Sequence, residues 1–285
     1  MKILVTGASG FVARELIGWL EKNTNHILYK TNRHTLNVLD EKAVDAYFRK
    51  NKIDIVIHCA ISGGRRNQLD KPVIVYNNCL MFENLVKQRA KYKLMLVFGS
   101  GAEQDRTQDI MNQEESNFGA RANGIPRDYY GFSKYIIAHR IKSLNDNIIN
   151  LRIFNVFGKH EAADRMIKAN IIKYINRKPI TIYKNRYMDF VGSDDLGKLV
   201  NYYIDNGASG LIGRSINVSY KTKITLVSVA NIINNLSAYK SDIIIKKRDM
   251  DPAYCGSGSK LEMLELKLDG LKKSIRQVYK ECQNI

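Results

Sequence analysis

Residues 1–13 read MKILVTGASGFVA, a short apolar strand that runs directly into a glycine-rich turn. Residues 3–5 predict a buried strand, and residues 11–16 predict the first turns of a helix. Gly7 lets the chain bend, and Gly10 lets the backbone approach a phosphate group while the first helical amides face its charge. The pattern is typical of a dinucleotide-binding turn, although a βα turn can also use glycine without any ligand. The predicted cofactor contacts of this turn are Gly7, Ser9, Gly10, Phe11 and Val12.

The bulk composition limits the class of protein. The chain has 285 residues, 45% of them hydrophobic, which suits one large α/β unit or a nucleotide-binding domain with a smaller second lobe. No stretch approaches the roughly 20 apolar residues of a membrane span, and the first strand begins at the N-terminus, so we expect no membrane partner and no signal peptide. Cys59, Cys79, Cys255 and Cys282 show no metal-ligand spacing. We therefore expect a cytoplasmic protein with unpaired thiols and no metal site.

The net charge of +17 raises the question of nucleic-acid binding. The Lys and Arg residues are spread along the whole chain rather than gathered into one arm or stripe, and no nucleic-acid-binding module is recognisable. We therefore expect no nucleic-acid partner. The positive charge instead favours the approach of an anionic nucleotide substrate and cofactor.

Strand and helix patterns alternate along the first half of the chain. The predicted strands are residues 3–6, 26–29, 55–58, 94–98 and 148–153, and the predicted helices are residues 14–21, 41–50, 73–87 and 129–144. This alternation predicts a Rossmann-type, doubly wound parallel sheet with helices on both faces. Residues 1–158 would form the dinucleotide-binding domain, with residues 188–218 returning to it.

The second half is less regular and predicts a smaller, mixed α/β lobe for substrate binding, mainly residues 159–285. Its predicted helices are residues 164–176, 193–206, 226–236 and a terminal helix from about 271, and its predicted strands are residues 180–183 and 242–246. A long loop spans about residues 101–127. Long loops in compact enzymes tend to carry function.

Tyr130 and Lys134 lie four residues apart in a predicted helix, so both side chains project from the same face. An ammonium group close to a phenol favours the phenolate, which makes tyrosine a usable acid or base near neutral pH. The spacing alone also fits an exposed pair, because Tyr and Lys are abundant here. Ser100 follows the predicted strand 94–98, where ligands bind in this architecture. We predict Ser100, Tyr130 and Lys134 as the catalytic residues, with a plain capping role as the alternative for Ser100.

The end of the second predicted strand bears on the choice of cofactor. NAD-dependent enzymes place an acidic residue there for the ribose 2′-hydroxyl, whereas NADP-dependent enzymes place a cation for the 2′-phosphate. Residues 29–35 read YKTNRHT and contain no acid. Arg33 is the natural partner of a 2′-phosphate, with Lys30 or His34 as helpers, so NADP(H) is predicted rather than NAD(H). The alternative is that Arg33 is a solvated loop cation.

With the glycine turn, Ser100 and the Tyr130–Lys134 pair in this order, the chain resembles the extended short-chain dehydrogenase/reductase family of the NAD-dependent epimerase/dehydratase type. Three further segments resemble that family: NCLMFENL at 78–85, RIFNVFG at 152–158 and MDFVGSDDL at 188–196. The resemblance implies a nucleotide-sugar substrate whose phosphates are supported by Asn155. It also implies a homodimer that pairs through the helices 73–87 and 129–144.

Within the family, the chain looks most like GDP-L-fucose synthase and related 4-keto-sugar reductases. LNVLD at 36–40 and AISGG at 60–64, followed by Asn67 and Pro72, are similar to segments of that group. The resemblance implies that Asp40 touches the adenine, that Ala60 lies beside the nicotinamide and that Lys134 also holds the nicotinamide ribose. The substrate-binding residues predicted from it are Ser62, Gly63, Gly64, Ala102, Asn155, Arg165 and Arg186.

The departures from fucose synthase bear on the reaction. That enzyme also epimerises two carbons, using a Cys two residues after the catalytic serine and a His further on, and these positions are Ala102 and Arg165 here. Neither side chain readily exchanges a carbon-bound proton, which favours plain reduction, although His160 nearby keeps the epimerase alternative open. The serine segment also lacks the Asp of the dehydratase branch. Met188 replaces a diphosphate-contacting Arg, for which Arg186 is the nearby substitute unless it is a surface residue.

The sequence therefore predicts NADPH-dependent reduction of the C4 keto group of a nucleotide-activated 4-keto-6-deoxy sugar. The sugar would be GDP-linked, would not be epimerised and would serve surface-polysaccharide biosynthesis. One alternative is a nucleotide-sugar epimerase, either of the type that retains NAD or of the fucose-synthase type. Another is a non-catalytic NADP-binding sensor.

Overall fold

The computed structural model describes residues 1–65, 68–117, 124–144, 147–207 and 214–283. The strands are β1 (Lys2–Thr6), β2 (Ile27–Lys30), β3 (Ile55–His58), β4 (Leu94–Ser100), β5 (Ile110–Gln113), β6 (Ile148–Ile153), β7 (Val156–Phe157), β8 (Ile180–Asn185), β9 (Val191–Gly192), β10 (Ser215–Val218), β11 (Ile243–Met250) and β12 (Tyr254–Gly256). The helices are α1 (Phe11–Asn23), α2 (Glu41–Lys50), α3 (Val73–Val86), α4 (Tyr129–Ser143), α5 (Met166–Ile175), α6 (Ser193–Asn206), α7 (Leu226–Asn234), α8 (Ser259–Met263) and α9 (Gly270–Gln283). Within these ranges, no helix combines the length and the apolar character needed to cross a membrane.

Six strands form one parallel sheet in the order β10-β6-β4-β3-β1-β2. In β1, Ile3 and Val5 pack with α1 and α6 on one face, whereas Leu4 packs with α2 and α3 on the other. All three side chains are fully buried. A strand covered on both faces needs such a continuous apolar run, because alternate side chains point to opposite faces. The doubly wound α/β fold predicted from the sequence is confirmed.

The direction of winding reverses beside β1. The chain passes from β1 to β2 on one side and then to β3 on the other, so a crevice opens at the carboxyl ends of β1 and β3. The Gly7 turn follows β1 at this crevice, and Ala60 follows β3. Gly7 has φ +65°, and a Cβ there would lie 2.7 Å from the Ala60 backbone. The fold therefore places the predicted phosphate-binding turn in the ligand crevice.

A separate hydrophobic cluster forms the second lobe among α5, α7, α9, β8 and β11. Strands β8 and β11 pair in parallel, and α7 begins after Thr225, whose side chain accepts a hydrogen bond from Ser228 N at 3.2 Å. In this mixed α/β lobe, α5 is shorter than the predicted helix 164–176 and β8 is longer than the predicted strand 180–183. Strand β10 pairs with β6 and returns the chain to the main sheet. The domain boundaries themselves stay a prediction.

Two short parallel strand pairs, β7 with β9 and β5 with β12, link distant parts of the chain. Ile110 N donates to the Ala253 carbonyl at 3.0 Å, and Ala253 N donates to the Asp109 carboxylate at 2.6 Å. The loop 101–127 thus contains β5, and β5 brings β12 close to the end of β4. Within that loop, residues 118–123 lie outside the described residues. Asn67, in the segment after β3, also lies outside them.

Candidate active site

The catalytic pair predicted from the sequence lies at the start of α4. Asp128 is the N-cap of this helix, and its carboxylate accepts a hydrogen bond from Gly131 N at 2.7 Å. Only glycine fits at 131, because a Cβ there would lie 2.5 Å from the Ala102 carbonyl oxygen. Helix α4 therefore packs closely on the turn after β4 and carries Tyr130 and Lys134 to it.

Lys134 is buried, and its ammonium group donates a hydrogen bond to the Phe98 carbonyl oxygen at 2.6 Å. The Nζ atom lies 5.9 Å from the centre of the Tyr130 ring. Burial lowers the pKa of Lys134 to about 8, although the Glu103 carboxylate opposes this shift. The charge of Lys134 therefore depends on pH in the neutral to alkaline range.

Ser100, at the end of β4, links two phenols. Burial raises the pKa of Tyr130, while a hydrogen bond with Ser100 and the charge of Arg106 oppose that increase. The Ser100 side chain accepts a hydrogen bond from Ala102 N at 3.1 Å and also hydrogen-bonds Tyr254. The serine is 7% exposed, so these contacts form in a desolvated site.

A buried ion pair supports the turn that presents Ser100. Glu103 accepts hydrogen bonds from Ser100 N at 3.0 Å and from Arg152 Nε at 2.6 Å. The side chains of Glu103 and Arg152 are 0% and 1% exposed, and Asn150 and Asn217 complete the network. A buried charge needs such partners, because its desolvation is otherwise costly. The network therefore holds the serine in place.

The glycine turn fits a dinucleotide cofactor. Gly10 is the N-cap of α1 and offers no side chain to the first amides, and the first turn of the helix carries no acidic residue. These amides and the helix dipole favour a phosphate group. Ala8 N donates to the Thr31 carbonyl at 2.8 Å, which ties the turn to the end of β2. Ser9, Phe11 and Val12 lie in the turn and the start of α1, as the sequence predicted.

Two other predicted cofactor residues lie farther along the chain. Arg33 is exposed and lies three residues after the end of β2. Asp40 is the N-cap of α2, and its carboxylate accepts a hydrogen bond from Ala43 N at 3.1 Å. Capping accounts for Asp40 without any ligand, so its contact with adenine stays a prediction.

The segment after β3 covers Tyr130, the tyrosine predicted to be catalytic. Gly63 and Gly64 both have positive φ, at +78° and +72°, and a Cβ on Gly64 would lie 2.6 Å from the Tyr130 ring. Ser62 N donates to the Asn78 side chain at 2.8 Å, which anchors the segment on α3. Two successive left-handed residues thus bring the backbone onto Tyr130.

Side chains also join the ends of β1 and β3. His58 Nδ1 lies 2.9 Å from Thr6 Oγ1, and Ala60 N donates to the same oxygen at 3.3 Å. Burial and the charge of Lys134 lower the pKa of His58 to about 3, so the ring stays neutral. These bonds hold Ala60 at the crevice, where the sequence predicted its nicotinamide contact.

A cavity of about 210 Å³ opens at this crevice. The predicted residues that line it are Phe11, Val12, Ser100, Tyr130, Lys134, Asn155 and Arg165. The lining also includes His58, Cys59, Phe98 and Phe154, which the sequence did not predict. The predicted residues outside the lining are Gly7, Ser9, Gly10, Arg33, Asp40, Ala60, Ser62, Gly63, Gly64, Ala102 and Arg186.

Asn155 and Arg165 form a polar wall of the cavity. The Arg165 guanidinium donates to Asn155 Oδ1 at 3.3 Å and lies 3.4 Å from Glu161. Asn155 Nδ2 donates to the Asp189 carbonyl at 2.9 Å, which fixes the orientation of its amide. Burial raises the pKa of Glu161 to about 7, with the Arg165 charge opposing the increase. The wall therefore presents a permanent cation beside the cavity.

Two residues bear on the epimerase alternative. Ala102 is 1% exposed and has no group that could exchange a proton. His160 Nδ1 lies 3.1 Å from Glu15 Oε1, outside the cavity lining. All four cysteines are unpaired, and the described part of the chain contains no group of three or more His, Cys, Asp or Glu side chains suited to a metal ion.

Sequence reasoning missed Glu103, Arg106 and Tyr254. A Cβ on Gly101 would lie 2.8 Å from the Tyr254 hydroxyl, which places that phenol at the Ser100 turn. No local pattern marks Tyr254, whereas Ser100 and Glu103 fit the S-x-x-E spacing of a capping box, which was the available signal for Glu103. Arg106 lies in the loop 101–127, and the length of this loop was the one sequence feature that indicated a functional role for its residues. The predicted Arg186 is near Tyr254, and burial lowers its pKa.

The NAD dependent epimerase/dehydratase family matches residues 3–219. The chain is also 27% identical over 274 residues to a dTDP-D-glucose 4,6-dehydratase of Dictyostelium discoideum, a match that covers 83% of this chain and 62% of that protein. The chain thus spans less than two thirds of this relative.

The solved structures that share the fold include the following two. One is a GDP-mannoheptose C4 reductase of Campylobacter jejuni with NADP bound, with a TM-score of 0.79, 21% identity and coverage of 99% of this chain and 98% of that chain. The other is a GDP-L-fucose synthetase of Naegleria fowleri bound to NADP, with a TM-score of 0.79, 14% identity and coverage of 99% and 92%. Because the family match covers most of the chain, the protein belongs to the NAD dependent epimerase/dehydratase family, which confirms the family resemblance found in its sequence.

Proposed function

We propose that this protein reduces the C4 keto group of a GDP-linked 4-keto-6-deoxy sugar, with NADPH as the reductant and without epimerisation. The observation that carries the proposal is the meeting of Ser100, Tyr130 and Lys134 at one cavity beside the phosphate-binding turn. The names of the two structural relatives, both NADP-bound and both concerned with GDP-sugars, support the same substrate class. The product would enter surface-polysaccharide biosynthesis in the cytoplasm.

Each residue of the proposed catalytic set has a different role in the reduction. The cofactor supplies the hydride when bound. The Tyr130 phenol donates its proton to the carbonyl oxygen as C4 becomes a secondary alcohol. Ser100 hydrogen-bonds the phenol and, through its hydroxyl, the same carbonyl oxygen. Lys134 stabilises the phenolate that remains and holds the nicotinamide ribose.

The cofactor preference rests on Arg33. Its guanidinium is exposed just after β2, and residues 29–35 contain no acid that would repel a 2′-phosphate. A guanidinium presents several N–H donors in a planar fork that matches phosphate geometry. We therefore expect Arg33→Ala to weaken the binding of NADPH about tenfold or more and to leave that of NADH nearly unchanged. Equal NADPH affinity in the variant and the wild type would remove this support.

The polar wall suits the diphosphate of the substrate. Arg165 is permanently charged, and its donation to Asn155 fixes both side chains at the cavity. Arg186, whose buried Nε atom has no hydrogen-bond partner in the described part of the chain, is the other candidate contact. The absence of epimerisation follows from Ala102 and Arg165, since neither exchanges a carbon-bound proton readily.

The test is NADPH oxidation with a freshly generated GDP-4-keto-6-deoxy sugar, followed by NMR analysis of the product. We expect turnover by the wild type, a loss of more than about 100-fold in Tyr130→Phe, and unchanged configuration at C3 and C5. Inverted centres at C3 or C5 would show that the epimerase activity persists.

Two other outcomes would contradict the proposal and favour one of the alternative functions. NAD that stays bound through purification, together with interconversion of sugar epimers, would indicate the NAD-retaining epimerase. Tight NADPH binding without reduction of any keto sugar would indicate a non-catalytic sensor.

A further inference from the structure

An arginine in the loop after β4 is fixed beside the catalytic tyrosine. The Arg106 guanidinium donates to Asp128 at 2.8 Å, and Asp128 is the N-cap of α4. A second ion pair, Arg127 to Asp105 at 3.1 Å, joins the same two segments of chain. The two pairs hold Arg106 against the first turn of α4, where Tyr130 lies.

Charged and titratable groups face the Tyr130 phenol from several elements. These groups are Glu103, Arg106, Asp128, Lys134 and Tyr254. The Glu103 and Asp128 carboxylates oppose formation of the phenolate, whereas the charge of Arg106 favours it. The guanidinium faces Tyr254 as well.

Lys134 and Arg106 differ in the pH at which they lose their positive charge. Burial lowers the pKa of Lys134 to about 8, so its ammonium group loses its charge in the alkaline range. A guanidinium stays protonated throughout the range in which proteins are folded. Glu103 is compensated by Arg152 at 2.6 Å, but Arg152 serves that carboxylate rather than the phenol. Arg106 is therefore a cation beside Tyr130 whose charge, unlike that of Lys134, does not depend on pH.

We propose that Arg106 is a positioning residue that keeps a permanent positive charge beside Tyr130 and stabilises the phenolate left after proton transfer. In that step the O–H bond of Tyr130 breaks, an O–H bond forms at the C4 oxygen of the substrate, and the negative charge stays on the phenol until solvent returns a proton. The catalytic meaning rests on the proposed function. The effect of the charge on the phenol is a property of the protein alone.

That effect can be measured without cofactor or substrate. A fluorinated tyrosine placed at position 130 alone ionises at a lower pH than tyrosine, and its ¹⁹F NMR signal reports the ionisation of that phenol. Arg106→Gln removes the charge but retains N–H donors for Asp128, whereas Arg106→Lys retains the charge. We expect the titration midpoint to move to higher pH in Arg106→Gln and to move back toward the wild-type value in Arg106→Lys.

Arg127→Gln is the matched control. It breaks the ion pair between Arg127 and Asp105, which joins the same two segments, and the Arg127 side chain is 75% exposed. Its midpoint is expected to equal that of the wild type. Equal midpoints in Arg106→Gln and the wild type would overturn the proposal. So would an equal displacement in Arg127→Gln, since the cause would then be a shift of the segment rather than the charge.

Kinetics then test the catalytic part. In the reductase assay, Arg106→Gln is expected to lower kcat about tenfold with little change in KM, and to move the alkaline limb of the pH profile upward. An unchanged kcat and pH profile alongside a displaced NMR midpoint would overturn the catalytic role. If the wild type reduces no keto sugar, the proposed function fails, while the NMR midpoints still decide whether Arg106 acts on the phenol.

Discussion

Two phenols share the Ser100 hydroxyl, and at the residue scale their surroundings differ. Tyr130 has Lys134 5.9 Å from its ring, whereas the Tyr254 ring packs edge-on against Phe154, with centres 5.1 Å apart. Burial raises the pKa of Tyr254, so it stays protonated and serves to orient Ser100. Tyr254→Phe is expected to lower kcat by less than about tenfold, against more than about 100-fold for Tyr130→Phe. Steady-state kinetics of the two variants check this prediction. Equal losses of kcat would contradict the assignment of Tyr130 as the proton donor.

The buried charge of Lys134 makes the stability of the protein depend on pH. Its pKa is about 8 in the folded protein and 10.5 ordinarily. Between these values the unfolded chain binds more protons, so the free energy of unfolding rises with pH, by on the order of 3 kcal/mol from this group. Lys134→Met lacks this contribution. Denaturant unfolding at pH 8 and again toward pH 10.5 should therefore show the wild type gaining stability relative to the variant. Parallel pH dependences would contradict the lowered pKa of Lys134.

At the scale of elements, the segment after β3 uses its backbone to seat the Tyr130 ring. Gly64→Ala would place a Cβ 2.6 Å from that ring at φ +72°, so the ring or the segment must move. We expect kcat to fall about 100-fold, because a small displacement of a reacting group is costly. Gly207→Ala is the control, since Gly207 has φ +59° and no atom of the described structure lies within 4 Å of its added Cβ. That variant should lose about 1 kcal/mol of stability and no activity. Equal activity losses in both would show that backbone strain, not contact with Tyr130, is responsible.

The elements that could be predicted from sequence are those with local signals. Strands β1, β3 and β4 are apolar runs bounded by turns, and the Tyr130–Lys134 pair follows from a four-residue spacing within one helix. Strands β7 and β9 have two residues each, which is too short for any periodicity. Strand β12 forms through its pairing with β5, which is distant in sequence. The sequence around Tyr254 therefore contains no pattern that predicts its position in the site. For Glu103 the capping-box spacing to Ser100 is local, but its ion pair with Arg152, which comes from another strand, could not be predicted.

At the scale of the whole molecule, the outer faces of α3 and α4 expose apolar side chains. Val73, Tyr76, Tyr129 and Phe132 are 53%, 66%, 42% and 36% exposed. Exposed apolar surface on neighbouring helices is typical of an interface, and a two-fold dimer would bury it symmetrically. We therefore expect a homodimer, with Tyr76→Glu combined with Phe132→Glu giving a monomer in sedimentation velocity.

The matched control for this interface is Tyr183→Glu on β8, because Tyr183 is 65% exposed and lies on the other lobe. That variant should sediment as the wild type does. A wild-type protein that is monomeric at micromolar concentration would contradict the predicted dimer.

The pairing of β5 with β12 also sets when the enzyme can begin to work. Ala253 N bonds Asp109 across 144 residues of chain, and Tyr254 follows directly at the Ser100 turn. A ribosome releases Tyr130 and Lys134 long before it releases this strand. A nascent chain that ends before residue 253 therefore carries Tyr130 and Lys134 but lacks one wall around Ser100. We therefore expect activity to appear only after this strand has been synthesised.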